Sequence, residues 1–98
     1  MDAIFSYSFL NKYQDSTVAQ SKVEWVCDNK ASNVASGIGA TSFSHVETDH
    51  SAEITIGLPA ELAAMSEAQR ISVLKGLFKG TLEKWIPQIN ITEQISFS

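Results

Sequence analysis

Apolar and polar residues alternate at both ends of the chain. Phe5, Tyr7 and Phe9 are interleaved with Ser6 and Ser8, the period-two pattern of a strand with one apolar face. Near the other end, Ile89, Ile91, Ile95 and Phe97 are interleaved with Asn90, Thr92, Gln94 and Ser96, which predicts a final strand. In the run 17–27, Val23, Trp25 and Cys27 point one way and Lys22 and Glu24 the other. This run reads as a second strand, reached through a turn at Gln14, Asp15 and Ser16. Residues 28–41 are mostly Asn, Ser, Ala and Gly, with only Val34 and Ile38 as large apolar side chains. A long, mobile loop is expected there. Residues 42–47 and 52–56 then read as two short strands around a turn at Thr48, Asp49, His50 and Ser51.

After Gly57 the period changes. Pro59 supplies a fixed φ for the first turn of a short helix over 60–64. Ser66 followed by Gln69 is a capping-box spacing. It opens a long helix in which Ile71, Leu74, Phe78, Leu82 and Trp85 recur at three- and four-residue steps until Pro87, the stripe of a helix that buries one side. Glu67 in the first turn and Lys75, Lys79 and Lys84 later suit the helix dipole.

The predicted order is ββ, loop, ββ, αα, β. It implies an α+β two-layer sandwich with a four- or five-stranded, mostly antiparallel sheet. The long helix of the C-terminal half and the short helix before it pack on one face of that sheet. With 98 residues and no repeat or linker, residues 1–98 read as one α+β domain.

Two positions stand out from this scheme. Glu93 falls in the apolar phase of the last strand, where a continuous strand would bury it. A bulge or bend around Thr92, Glu93 and Gln94 that turns the charge outward, or an inward charge at a strand edge that discourages aggregation, is expected over a buried general acid or base, because a buried unpaired carboxylate is costly. Gly76 and Gly80 lie four apart in the long helix, opposite its apolar stripe, and each glycine in a helix interior costs about 1 kcal/mol relative to alanine. With Ser72, Val73 and Leu77 they form a row of small and apolar residues that another backbone could approach closely.

Composition narrows the function classes. The chain is 44% hydrophobic and 18% charged with a formal net charge of −4, which lacks the basic footprint of a nucleic-acid binder. No apolar run is long enough for a membrane span, and Asp2 stands where a secretory signal carries basic residues. A cytoplasmic protein with neither nucleic-acid nor membrane partners is expected. The single cysteine, Cys27, cannot form an internal disulfide and reads as a buried, unreactive thiol.

Candidate chemistry is concentrated in 45–50. In an extended segment His45, Glu47 and Asp49 project from one face and offer mixed nitrogen and oxygen ligands. Their spacing is not that of known zinc sites and they border a turn, so no metal is assigned. Ser42, Ser44, His45 and Asp49 have the residue types of an acyl-transfer triad but only local proximity. Gly37 and Gly39 lack the third glycine of a dinucleotide loop and the lysine of a P-loop. No catalytic residue or cofactor is assigned, and catalysis is not the expectation. The leading expectation is a small acidic protein-interaction module that self-associates as a homodimer, or binds or inhibits another protein, through Ser72, Val73, Gly76, Leu77 and Gly80. The alternative is a small-ligand-binding protein or enzyme with a pocket between the sheet and the 28–50 region, using His45, His50 and Glu93.

Overall fold

In the computed structural model, which describes residues 1–11 and 19–98, four strands form one antiparallel sheet in the order β2-β3-β1-β4. They are β1 (Asp2–Asn11), β2 (Ser42–Glu47), β3 (Ser51–Gly57) and β4 (Ile89–Phe97). Strand alternation decides which face is covered. Ala3, Phe5 and Tyr7 from β1, Ala52, Ile54 and Ile56 from β3, and Ile89 and Ile91 from β4 are all buried. In register, Phe5 lies opposite Ile54 on one side and Ile95 on the other, and Tyr7 lies opposite Ala52 and Glu93. Helices cover this face. Phe78 meets Phe5 edge-on with ring centroids 4.8 Å apart, and Leu74, Leu82 and Ile86 complete the contact layer. The two-layer α+β architecture with a β2–β3 hairpin and a closing strand is the one that the apolar pattern predicts.

The second expected strand and the loop after it are helical instead. Residues 20–37 run through α1 (Gln20–Val26), a single π-helical turn (Cys27–Ala31) and α2 (Ser32–Gly37). The expected turn at Gln14, Asp15 and Ser16 lies outside the described residues. Val23, Cys27, Ala31 and Ala35 recur every four residues and all are buried, so the true period is helical. The stripe is hard to read because three of its members are small, and Asn and Ser favour loops when judged by propensity alone. Here those polar side chains serve the helix itself. Asn29, Ser32 and Asn33 each donate four residues back, to the carbonyls of Trp25, Asp28 and Asn29. Trp25 is 44% exposed on the outer side of α1, edge-on to Trp85, with the Lys30 ammonium over both rings.

The expected long helix is broken in two. After the short α3 (Ala60–Ala63), α4 (Glu67–Leu74) opens with the full capping box between Ser66 and Gln69. It ends at an elbow where Gly76 has φ +79°, and α5 (Lys79–Trp85) follows as a separate helix. The apolar stripe is therefore interrupted. Leu74, Phe78 and Leu82 are buried, whereas Ile71 is exposed and Trp85 half-buried. Ser72 and Val73 sit on α4, Gly76 and Leu77 in the elbow and Gly80 on α5, so the five residues expected to form one partner face do not share one helix. Of the two expectations for Glu93, the bulge in β4 is absent and the inward charge at a sheet edge is what is found. The pairing of β4 with β1 runs without interruption from Phe97 to Ile89, and Glu93 stays on the covered side.

The two glycines thus have opposite roles. Only glycine adopts a left-handed φ without strain, so Gly76→Ala should lower stability by about 1 kcal/mol. Gly80 is helical with open space around an added Cβ, so Gly80→Ala should raise stability by about 1 kcal/mol. Thermal unfolding of the two variants should move the midpoint in opposite directions by roughly 4–8 °C. A rise for Gly76→Ala would contradict the elbow.

Candidate metal centre

Where the π-helical turn passes over edge strand β2, four side chains with acid-base or metal-ligating chemistry converge. Cys27 and Asp28 are adjacent in the turn, and His45 and Glu47 stand two apart on β2, hence on the same face of the strand. That face is the covered one, since His45 lies opposite Ile54 and Glu47 opposite Ala52. The sulfur of Cys27, a ring nitrogen of His45 and a carboxylate oxygen of Glu47 lie within 4.8 Å of one another. Cys27 is fully buried, and the side chains of Glu47 and His45 are only 4% and 16% exposed.

The two nitrogens of His45 are divided between two carboxylates. Nδ1 meets Glu47 Oε1, and Nε2 meets Asp28 Oδ1 at 2.6 Å. Asp28 is on the solvent side and largely exposed. Burial by itself pulls the His45 pKa down. The hydrogen bond to Asp28, with the charge and hydrogen bond of Glu47, outweighs burial and leaves the imidazole above its ordinary 6.5. Burial pushes the Cys27 thiol far up, and the neighbouring carboxylates of Glu47 and Asp28 push it further. Cys27 is therefore a protonated thiol beside the Glu47 carboxylate, and not a free nucleophile. With both His45 nitrogens engaged by carboxylates, the ring has no lone pair free to take the thiol proton. A cysteine-histidine nucleophile is thus not assembled in this arrangement.

The structure separates the residues that sequence grouped together. Of His45, Glu47 and Asp49, the first two share the covered face and Asp49 lies in the exposed turn beyond β2. His50 is exposed in the same turn, where its backbone carbonyl accepts from the Phe9 amide. Glu93 is on β4 at the opposite sheet edge, three strand spacings or roughly 14 Å from β2. Cys27 and Asp28 join the histidine only through a contact 17 or more residues away in sequence, which no local spacing reveals. The one local sign was the His-x-Glu step on a strand.

Scanned against protein-family models the chain matches none, and a search of curated proteins finds no match. Among the described residues no helix is long and apolar enough to cross a membrane.

The His45 contacts carry a pH dependence in chelator-treated protein. Because the folded pKa is raised, the stabilisation is complete below the unfolded value of 6.5. It is lost as pH rises through the folded value. Urea unfolding between about pH 6 and pH 8 should show stability falling as pH rises, and His45→Gln should remove that slope. Staying below pH 8 keeps Cys27 protonated in both states, given its ordinary value of 9.0. A slope unchanged in His45→Gln would place the titrating group elsewhere.

Proposed function

We propose that this chain is a small-ligand-binding protein whose ligand is a divalent transition-metal ion of the zinc type, held by Cys27, His45 and Glu47. The observation that carries this reading is the convergence of one thiol, one imidazole and one carboxylate within 4.8 Å in a water-poor interior. A sulfur and nitrogen donor set selects zinc or cobalt over magnesium or calcium, which prefer oxygen alone. Tetrahedral zinc, with bonds of about 2.0–2.3 Å, sets its ligand atoms roughly 3.3–3.8 Å apart, so binding needs the farthest pair to close by at most about 1.5 Å and the paired Nδ1 of His45 and Oε1 of Glu47 to open around the ion.

The second carboxylate supports the same reading. Nδ1 faces Glu47, so Nδ1 is the nitrogen that would ligate. Nε2–H would then donate to Asp28, the carboxylate-histidine-metal arrangement that fixes the tautomer and raises ligand basicity. Three protein donors leave a fourth position for water or a small molecule. Binding must displace the proton of Cys27 and one proton of His45, so affinity should rise with pH. The competing reading is a purely structural clamp in which imidazolium and thiol tie the π-helical turn to β2.

Cobalt titration distinguishes the two. Chelator-treated protein should develop a sulfur-to-cobalt absorption band that saturates at one ion per chain. Cys27→Ser should abolish the band, and Glu47→Gln should weaken binding at least tenfold. Zinc at about 100 times its dissociation constant should add about 2.7 kcal/mol to the unfolding free energy. No band and no stabilisation by millimolar zinc would leave the clamp as the whole role of the cluster.

A further inference from the structure

A second constellation lies at the other sheet edge, around Glu93. The carboxylate is held from two sides. The Tyr7 hydroxyl donates to Oε2 at 2.9 Å, and the Gly76 amide donates to Oε1 at 2.9 Å. Tyr7 is buried, and burial followed by the Glu93 charge pushes its hydroxyl far above the ordinary value, so it remains a donor at any physiological pH. The Gly76 amide is aimed at Glu93 by the left-handed φ of the elbow. An ionised carboxylate offers about four acceptor positions, and these two donors use two.

Glu93 also lines a cavity of about 400 Å³ shared with Ile71, Lys75, Gly76, Lys79 and Ile95, within the size range of small-molecule sites. Its chemistry is mixed in a particular way. Glu93 offers a fixed negative charge on the sheet side. Lys75 and Lys79 offer positive charges on the helix side, and Ile71 and Ile95 offer apolar wall. Lys79 has one exposed partner, Glu83, at the long distance of 3.9 Å, a contact worth little in water. A simple anion would sit against Glu93 and a simple cation against two ammonium groups. A ligand carrying both charges leaves neither uncompensated.

We infer that the elbow cavity binds a small zwitterion of the α-amino-acid type, with its ammonium on Glu93, its carboxylate on Lys75 and Lys79, and an apolar side chain against Ile71 and Ile95. The site is independent of the metal reading, because it lies across the full width of the sheet from Cys27, His45 and Glu47 and shares no residue with them. Glu93 acts here as an acceptor preset by Tyr7 and Gly76. Retaining it in the covered phase of β4 then costs little, because its desolvation is offset by two hydrogen bonds and one open side.

The test is an amide-resolved NMR titration of the full chain, with chelator present, using three probes of one shape. These are leucine, 3-methylbutylamine, which lacks the carboxylate, and 4-methylpentanoate, which lacks the ammonium. Leucine should shift the Gly76, Lys79 and Ile95 amides saturably, and each single-charge probe should bind at least tenfold more weakly. Glu93→Gln removes the charge but keeps one acceptor oxygen for the Gly76 amide, while its NH2 can donate to the Tyr7 oxygen, and should weaken leucine at least tenfold. Lys75→Gln with Lys79→Gln should do the same without unfolding the chain, since both are on the surface side of the cavity. Equal binding of leucine and either single-charge probe would overturn the proposal, as would no saturable shift at Gly76 up to about 10 mM leucine.

Discussion

Burying one face of the sheet is the constraint on which the rest of this structure depends. Phe5 and Tyr7 on central strand β1 are flanked in register by Ile54, Ala52, Ile95 and Glu93, and covering that surface is the largest favourable contribution to folding. Phe78, edge-on against Phe5 and 6.3 Å from Phe43, anchors the elbow region over the middle of the sheet. The helices are placed to complete this contact. α1, the π-helical turn and α5 meet one another above β2 and β4, with Trp25 and Trp85 packed edge-on where α1 and α5 meet.

One row across the sheet places the polar chemistry. Glu47, Ala52, Tyr7 and Glu93 lie side by side on β2, β3, β1 and β4, so each edge strand contributes a carboxylate to the covered face. A carboxylate in a sheet centre would meet apolar atoms above it. At an edge it can reach a helix end, a side chain or solvent. Glu47 takes the imidazole of His45, with the thiol of Cys27 nearby, and Glu93 takes the hydroxyl of Tyr7 and the amide of Gly76. The same physical solution, a charged group desolvated only as far as its hydrogen bonds allow, creates a candidate metal centre at one edge and a candidate small-molecule site at the other.

Both sites depend on a local departure from regular helix. The π-helical turn widens the backbone at Cys27–Ala31, where side-chain donors from Asn29, Ser32 and Asn33 support the neighbouring carbonyls, and such turns often accompany functional sites. The left-handed Gly76 breaks α4 from α5 and presents one amide sideways. Without the break at Gly76, a continuous helix would keep that amide in its own hydrogen bond four residues back, and it would not reach Glu93.

The sequence by itself determined the α+β class, the alternating strands β1, β2, β3 and β4, the hairpin at 48–51, the capping box at Ser66 and the burial of Cys27. Each of these is written in a short window, through period-two alternation, turn residues or a three-residue cap spacing, and local sterics suffice to express it. Only the tertiary structure decided that 20–37 is helical, because its stripe of Val23, Cys27, Ala31 and Ala35 is built from residues too small to stand out until a sheet lies beneath them. Likewise the break at Gly76 and the inward Glu93 follow from partners on distant elements, since the Gly76 amide and the Tyr7 hydroxyl become donors to Glu93 only once β1 and β4 have paired. The cluster of Cys27, His45 and Glu47 is of the same kind. His45 and Glu47 were legible as neighbours on a strand, but the thiol reaches them through the packing of a helix on an edge strand, and such long-range contacts are chosen by the burial of the whole face rather than by any local motif.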